Sequence, residues 1–149
     1  MNTPWQILVA SSDLESRRTL IQILARQGLD PISAANLAEC RETMRKERVG
    51  LIFADRHLAD GNYRDVLDLA RSNRQKVRVV VTSSRPDWDE YLEAMRLGAF
   101  DVIAYPCRPT DVEWMVIQAR RDDHNRTKEL ATDRMTDSRS LRRAAAGGA

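Results

Sequence analysis

The sequence predicts an α/β fold, a doubly wound sheet of five parallel strands covered by helices on both faces, and three observations carry that prediction. Five short apolar runs alternate between residues 6 and 119 with five stretches whose apolar residues recur at helical spacing. The runs are almost continuously apolar, as strands buried on both faces must be, and a strand that reaches the next one through a helix runs parallel to it. The chain has 149 residues with 42% hydrophobic content, which suffices for one real core and leaves little room for a second domain of any complexity.

Gln6–Ala10 (QILVA) is the first strand. The helix after it places Leu14, Leu20, Ile21 and Leu24 on one side, with Ser12 or Asp13 to cap its start and Gly28 to close it in a left-handed conformation. A weaker strand is expected at Pro31–Ala34, then a helix from Leu37 to Lys46 with Leu37, Cys40 and Met44 on one face. Gly50–Ala54 (GLIFA) is the third strand and ends at Asp55. Asp60-Gly61 makes a turn, and Tyr63, Val66, Leu67 and Ala70 mark the third helix. Lys76–Thr82 (KVRVVVT) is the most strand-like stretch of all. The polar loop SSRPDWD follows it, then a helix with Tyr91, Leu92 and Met95, closed by Gly98. The last strand, Asp101–Tyr105, breaks at Pro106, and the last helix starts near Thr110.

Charge divides the chain unevenly. Residues 1–119 carry 16 Lys and Arg against 17 Asp and Glu, whereas residues 120–149 carry eight against five and few large apolar side chains. One folded domain is therefore expected over residues 1–120. Residues 121–149 read as a helical extension that frays into a linker-like, partly disordered tail. The net charge of +2 supplies no field for nucleic acid, and the basic tail interleaves acids with no aromatic residue. Cys40 and Cys107 are too few for a disulfide framework or a zinc site, and Cys107, on a turn, reads as a bystander thiol. His57 and His124 lack partners at metal-ligand spacing. No apolar run reaches the roughly 20 residues of a membrane span, and the start MNTPWQILVA lacks the pattern of a secretion signal, so a cytoplasmic address is expected.

Ligands of such folds bind at the carboxyl ends of the strands, where strand order reverses. The polar residues expected there are Ser11, Ser12 and Asp13, then Asp55, then Thr82, Ser83 and Ser84, and Tyr105. Taken singly, Asp55 also suits a helix-proximal cap, Thr82 a plain strand end, and the two serines a cap of the first helix.

Three stretches together go further. Leu51–Gly61 (LIFADRHLADG), Val79–Ser84 (VVVTSS) and Arg96–Glu113 (RLGAFDVIAYPCRPTDVE) resemble, in order, the phosphoacceptor segment, the switch segment and the last strand and turn of the response-regulator receiver domain of bacterial two-component signalling. The resemblance runs from about Gln6 to Ala119 and implies the flavodoxin-like three-layer (βα)5 sandwich. It implies that Asp55 accepts a phosphoryl group from a histidine kinase, that Thr82 supplies the switch hydroxyl, and that the backbone carbonyl of His57 ligates magnesium. It further implies a signalling module and not an enzyme. Partners would be a histidine kinase or another signalling protein, or a second copy through the face of the fourth helix, fifth strand and fifth helix. On the last helix Trp114 and Ile117 fall off the core face and suit such an interface.

The sequence departs from the family pattern in the pocket itself. The acidic pair that holds magnesium is replaced by Ser11 and Ser12, with Asp13 one place further on. The lysine before the proline is Tyr105, the aromatic switch residue is Val102, and the proline four residues beyond the acceptor is Ala59. Magnesium is a hard cation that favours anionic oxygens, and it neutralises most of the charge in phosphoryl transfer, so its affinity is expected to be weak here. Two readings stay open. In one, Asp55 is still phosphorylated, with Asp13 as a metal ligand beside it and Arg56, Arg85 or Arg108 replacing the lysine charge. In the other, the domain is a pseudo-receiver that binds partners independently of phosphorylation. A flavin or nucleotide site is disfavoured, because the loop ASSDLES lacks glycine and carries Asp13 and Glu15.

Overall fold

The computed structural model describes the backbone of residues 5–147 and the side chains of residues 5–129. Ten elements form the alternation that the sequence predicts: β1 (Gln6–Ala10), α1 (Leu14–Arg26), β2 (Ile32–Ala34), α2 (Leu37–Lys46), β3 (Val49–Asp55), α3 (Tyr63–Ser72), β4 (Arg78–Ser83), α4 (Trp88–Arg96), β5 (Asp101–Ala104) and α5 (Pro109–Gly147). The five strands make one parallel sheet in the order β2-β1-β3-β4-β5. Order reverses between β1 and β3, so the crevice at their carboxyl ends is the place for a site.

Successive residues of a strand face opposite sides, and the core divides accordingly. Leu8, Ile52, Val79 and Val81 pack with Cys40, Met44, Val66, Leu67 and Ala94 of α2, α3 and α4. Ile7, Val9, Leu51, Phe53 and Val80 pack with Leu20, Ile23 and Leu24 of α1 and with Val112, Met115, Val116 and Ala119 of α5. Phe53, Leu8, Leu24, Leu51 and Ile52 are fully enclosed, and each contributes roughly 1.5–3 kcal/mol by leaving water. Helices α1 and α4 are followed by Gly28 and Gly98 at φ +80° and +103°, a region that L side chains rarely adopt.

The structure adds detail that the periodicity does not carry. Asp13, and not Ser12, caps α1 by accepting from Ser16 N–H at 2.9 Å. Between β3 and α3 a small ladder pairs His57–Leu58 antiparallel with Gly61–Asn62, where only a turn was expected. The acidic turn residue Asp60 caps a different helix, accepting from the N–H groups of Leu37 at 2.6 Å and Ala38 at 3.1 Å at the start of α2. The Tyr105–Pro106 peptide is cis. The chain divides into two compact units, one ending at Ala119 and one starting at Arg120. In the second the backbone is helical to Gly147, where the sequence suggests fraying. No proline or glycine interrupts residues 110–146, so nothing local terminates the helix.

One close approach is sterically strict. A Cβ at Gly50 would fall inside the indole of Trp5, which lies against the start of β3. Gly50→Ala is therefore expected to destabilise the domain by about 1–3 kcal/mol in urea unfolding, and the loss should shrink in a Trp5→Ala background.

Candidate functional site

Register builds the site. Strand β3 ends at Asp55 and pairs residue by residue with β4, so that Asp55 lies beside Thr82. Thr82 Oγ1 donates to Asp55 Oδ1 at 2.6 Å. From the end of β1, Ser11 Oγ donates to Asp55 Oδ2 at 2.5 Å. Ser11 Oγ also lies 3.1 Å from the Asp13 carbonyl, but a hydroxyl has one proton and the shorter, charge-assisted bond to the carboxylate takes it. Ser11 and Thr82 are buried and Asp55 is half-buried at the foot of a cleft of about 420 Å³. Ser16, Arg56, His57, Ser83, Ser84 and Tyr105 complete its walls.

The other expected site residues are placed differently. Ser12 Oγ donates to the Ala35 carbonyl at 2.6 Å and accepts from Ala59 N–H at 2.7 Å, tying together the loops after β1, β2 and β3. Asp13 is engaged within its own loop. Its Oδ2 is turned to the N–H and hydroxyl of Ser16, at 2.9 and 2.7 Å, and these bonds hold its carboxyl below the usual carboxylate range. Tyr105 and His57 line the cleft, while Val102 packs half-buried against the core on the α4 side. Trp114 and Ile117 are exposed on α5, as the helical spacing suggests. Of the three candidate arginines, Arg56 reaches the cleft but lies 3.5 Å from Glu90 Oε2, and Arg85 and Arg108 are exposed and line no part of it.

Glu90 escapes the sequence reading. It stands one turn before Ala94 on the buried face of α4, and its side chain is 3% exposed. Ser83 Oγ donates to its Oε2 at 3.2 Å, while Oε1 is buried without a hydrogen-bond partner among the described residues. An acid among the apolar positions of a helix stripe is the signal that could have found it.

Magnesium commonly takes one or two carboxylates and completes its shell with water, and the acidic pair is absent here. Among the described residues no three His, Cys, Asp or Glu converge, and the hydroxyl that replaces one carboxylate brings a neutral oxygen in its place. At the position of the lysine stands Tyr105, which offers at most one neutral hydrogen bond, and the cation that reaches the cleft is Arg56.

Cys107 is buried, contrary to its expected place on an exposed turn. Burial first, and then the negative charge of Asp55, push its thiol up to about 11, and burial pushes Cys40 to about 12. In the unfolded chain both would ionise near 9.0, so their contribution to stability is complete below that pH and is lost as pH rises towards 11 and 12. At pH 8, labelling with a disulfide reagent should therefore accompany unfolding and not precede it, as a denaturant titration with a thiol readout would show.

Comparison with known proteins agrees with this architecture. Residues 7–117 match the model of the response regulator receiver domain. The chain is 26% identical over 126 residues to the response regulator protein PilR of Pseudomonas aeruginosa, covering 85% of this chain and 28% of PilR. It is 29% identical over 134 residues to the aerobic respiration control protein ArcA of Escherichia coli, covering 89% of this chain and 53% of ArcA. It thus spans only part of these relatives. In fold it is similar to a CheY-like receiver domain protein from Methanospirillum hungatei, with a TM-score of 0.72 at 20% identity over 81% of this chain and 98% of that one. It is equally similar to the beryllofluoride-activated receiver domain dimer of NtrC4, with a TM-score of 0.72 at 20% identity over 78% and 97%. The five-stranded order, the acid at the end of β3 beside a threonine of β4, and a family match over most of the length lead to one conclusion: the chain belongs to the response regulator receiver domain family.

Proposed function

We propose that this receiver domain of a two-component response regulator is a pseudo-receiver, a protein-binding module that works without phosphorylation of Asp55. One observation carries the reading: both carboxylate oxygens of Asp55 are held by neutral hydroxyls, at 2.5 and 2.6 Å, and Asp55 forms no ion pair among the described residues. Phosphoryl transfer needs the charge on the equatorial oxygens neutralised, and a hydrogen bond to each oxygen of a carboxylate lowers its nucleophilicity. Receiver domains bind magnesium in general, but this donor set supports weak affinity or none. In this reading the chain is a cytoplasmic binding partner and not an enzyme. No helix among the described residues is long and apolar enough to cross a membrane.

The partner is a histidine kinase or another signalling protein, or a second copy of the chain. A receiver dimer exists in NtrC4, and here the outer faces of α4 and α5 carry exposed apolar side chains on which one could be built. Trp88 is 70% exposed and stacks on Tyr91, and Leu92, Trp114 and Ile117 are also exposed.

Intact mass after incubation with acetyl phosphate and magnesium tests the reading, with an ordinary receiver run in parallel to show that the donor is competent. The native chain should gain no phosphoryl mass. An adduct on the native chain that disappears in Asp55→Asn would establish Asp55 as a working acceptor and overturn it.

A further inference from the structure

The pole opposite Asp55 has a chemistry of its own. Strands β3 and β4 are neighbours, so the segments that enter them lie side by side, just beyond the ends of α2 and α3. They enclose a cleft of about 540 Å³ whose walls include Arg45, Lys46, Arg48 and Arg74, with the largely buried Met44 and Val49 beneath. Arg48 Nε donates to Gln75 Oε1 at 3.0 Å and joins the two walls. Of the 16 Lys and Arg in residues 1–119, six lie in or beside this cleft: Arg45, Lys46, Arg48, Arg71, Arg74 and Lys76, with the buried Arg78 opening β4 next to them. Of the 17 acids, three accompany them. Glu42 is shared between Arg45 and Lys46, Asp68 pairs with Arg71, and Glu47 lies in the cleft wall. The rest of the domain keeps ten cations against fourteen acids.

Cations in the last turn of a helix ordinarily offset its dipole, and that accounts for part of the cluster. It does not account for all of it. Two helix ends carry about half a negative charge each, so a net excess of three positive charges exceeds them by roughly two. All but Arg48 of these six side chains are exposed, and Arg48 is half-buried.

We propose that this cleft docks a carboxylate-rich segment of a partner protein. The cations supply attraction, the side-chain amides of Asn73 and Gln75 can donate to carboxylates, and the apolar floor suits the methylene groups of glutamate side chains. A nucleic acid fits less well. No aromatic residue lines the cleft to stack a base, and a duplex with one charge per roughly 1.7 Å would run on past a surface with an excess of acids.

The test is an NMR titration of the isotope-labelled full chain with a peptide of alternating glutamate and glycine, with its glutamine counterpart, and with random-sequence duplex DNA. Shifts confined to residues 44–49 and 72–75, produced by the glutamate peptide only, are the expected result. They should weaken by about tenfold in Arg45→Ala/Arg74→Ala, whose exposed positions leave the melting temperature nearly unchanged, and should weaken again as salt is raised. Shifts elsewhere, equal shifts with the glutamine peptide, unchanged affinity in the double variant, or tighter binding of the duplex would each overturn the proposal.

Discussion

The carboxylate of Asp55 and the two hydroxyls that hold it are the constraint around which the cleft is organised. Three strand ends must meet for those bonds to form: β1 brings Ser11, β3 brings Asp55 and β4 brings Thr82. The parallel register of β3 on β4 leaves no freedom in the match, because a slip of one residue would turn Asp55 or Thr82 into the opposite core. Hydroxyls satisfy a carboxylate without neutralising it. The carboxylate is thus held by neutral donors, a different electrostatic object from one set among a metal ion and a lysine.

The two ends of the sheet differ as a result. At the carboxyl ends an acid stands among neutral donors, and around it the connecting loops are stitched by Asp60 and Ser12. Toward α4 the contacts become ionic: Arg56 reaches the buried Glu90, and Arg64 of α3 pairs with Glu93. These bonds tie α4 to the loop after β3 and to α3, so the helix that borders the cleft is anchored at two points. At the amino ends of the strands the excess charge is positive and the surface is open. One small domain thus presents two poles of opposite character, separated by a rigid apolar sheet.

Most of the fold was legible because each strand is a run of β-branched and apolar residues and each helix has an apolar stripe. β1 and α2 coincide with the expected ranges, β2 and β5 differ by one residue at one end, and β3 and β4 differ by one or two residues at both ends. Such ends are set by sheet pairing, which periodicity does not encode. Asp55, Thr82 and Ser11 could be placed because strand ends in this topology converge. Ser12 and Asp13 could not, because the rotation of a short side chain in a loop depends on neighbours distant in sequence, here Ala35 and Ala59 for Ser12. Glu90 was hidden for the same reason, since its partners Ser83 and Arg56 lie on other segments.

The hydroxyl of Ser12 restricts what this position can hold. It gives a proton to one backbone carbonyl and takes one from a backbone amide, so it fills two complementary roles at once. A carboxylate can take a proton but has none to give, and at this position it would set a negative charge against the Ala35 carbonyl. An acid at this position would therefore unfasten three loops that the serine holds together.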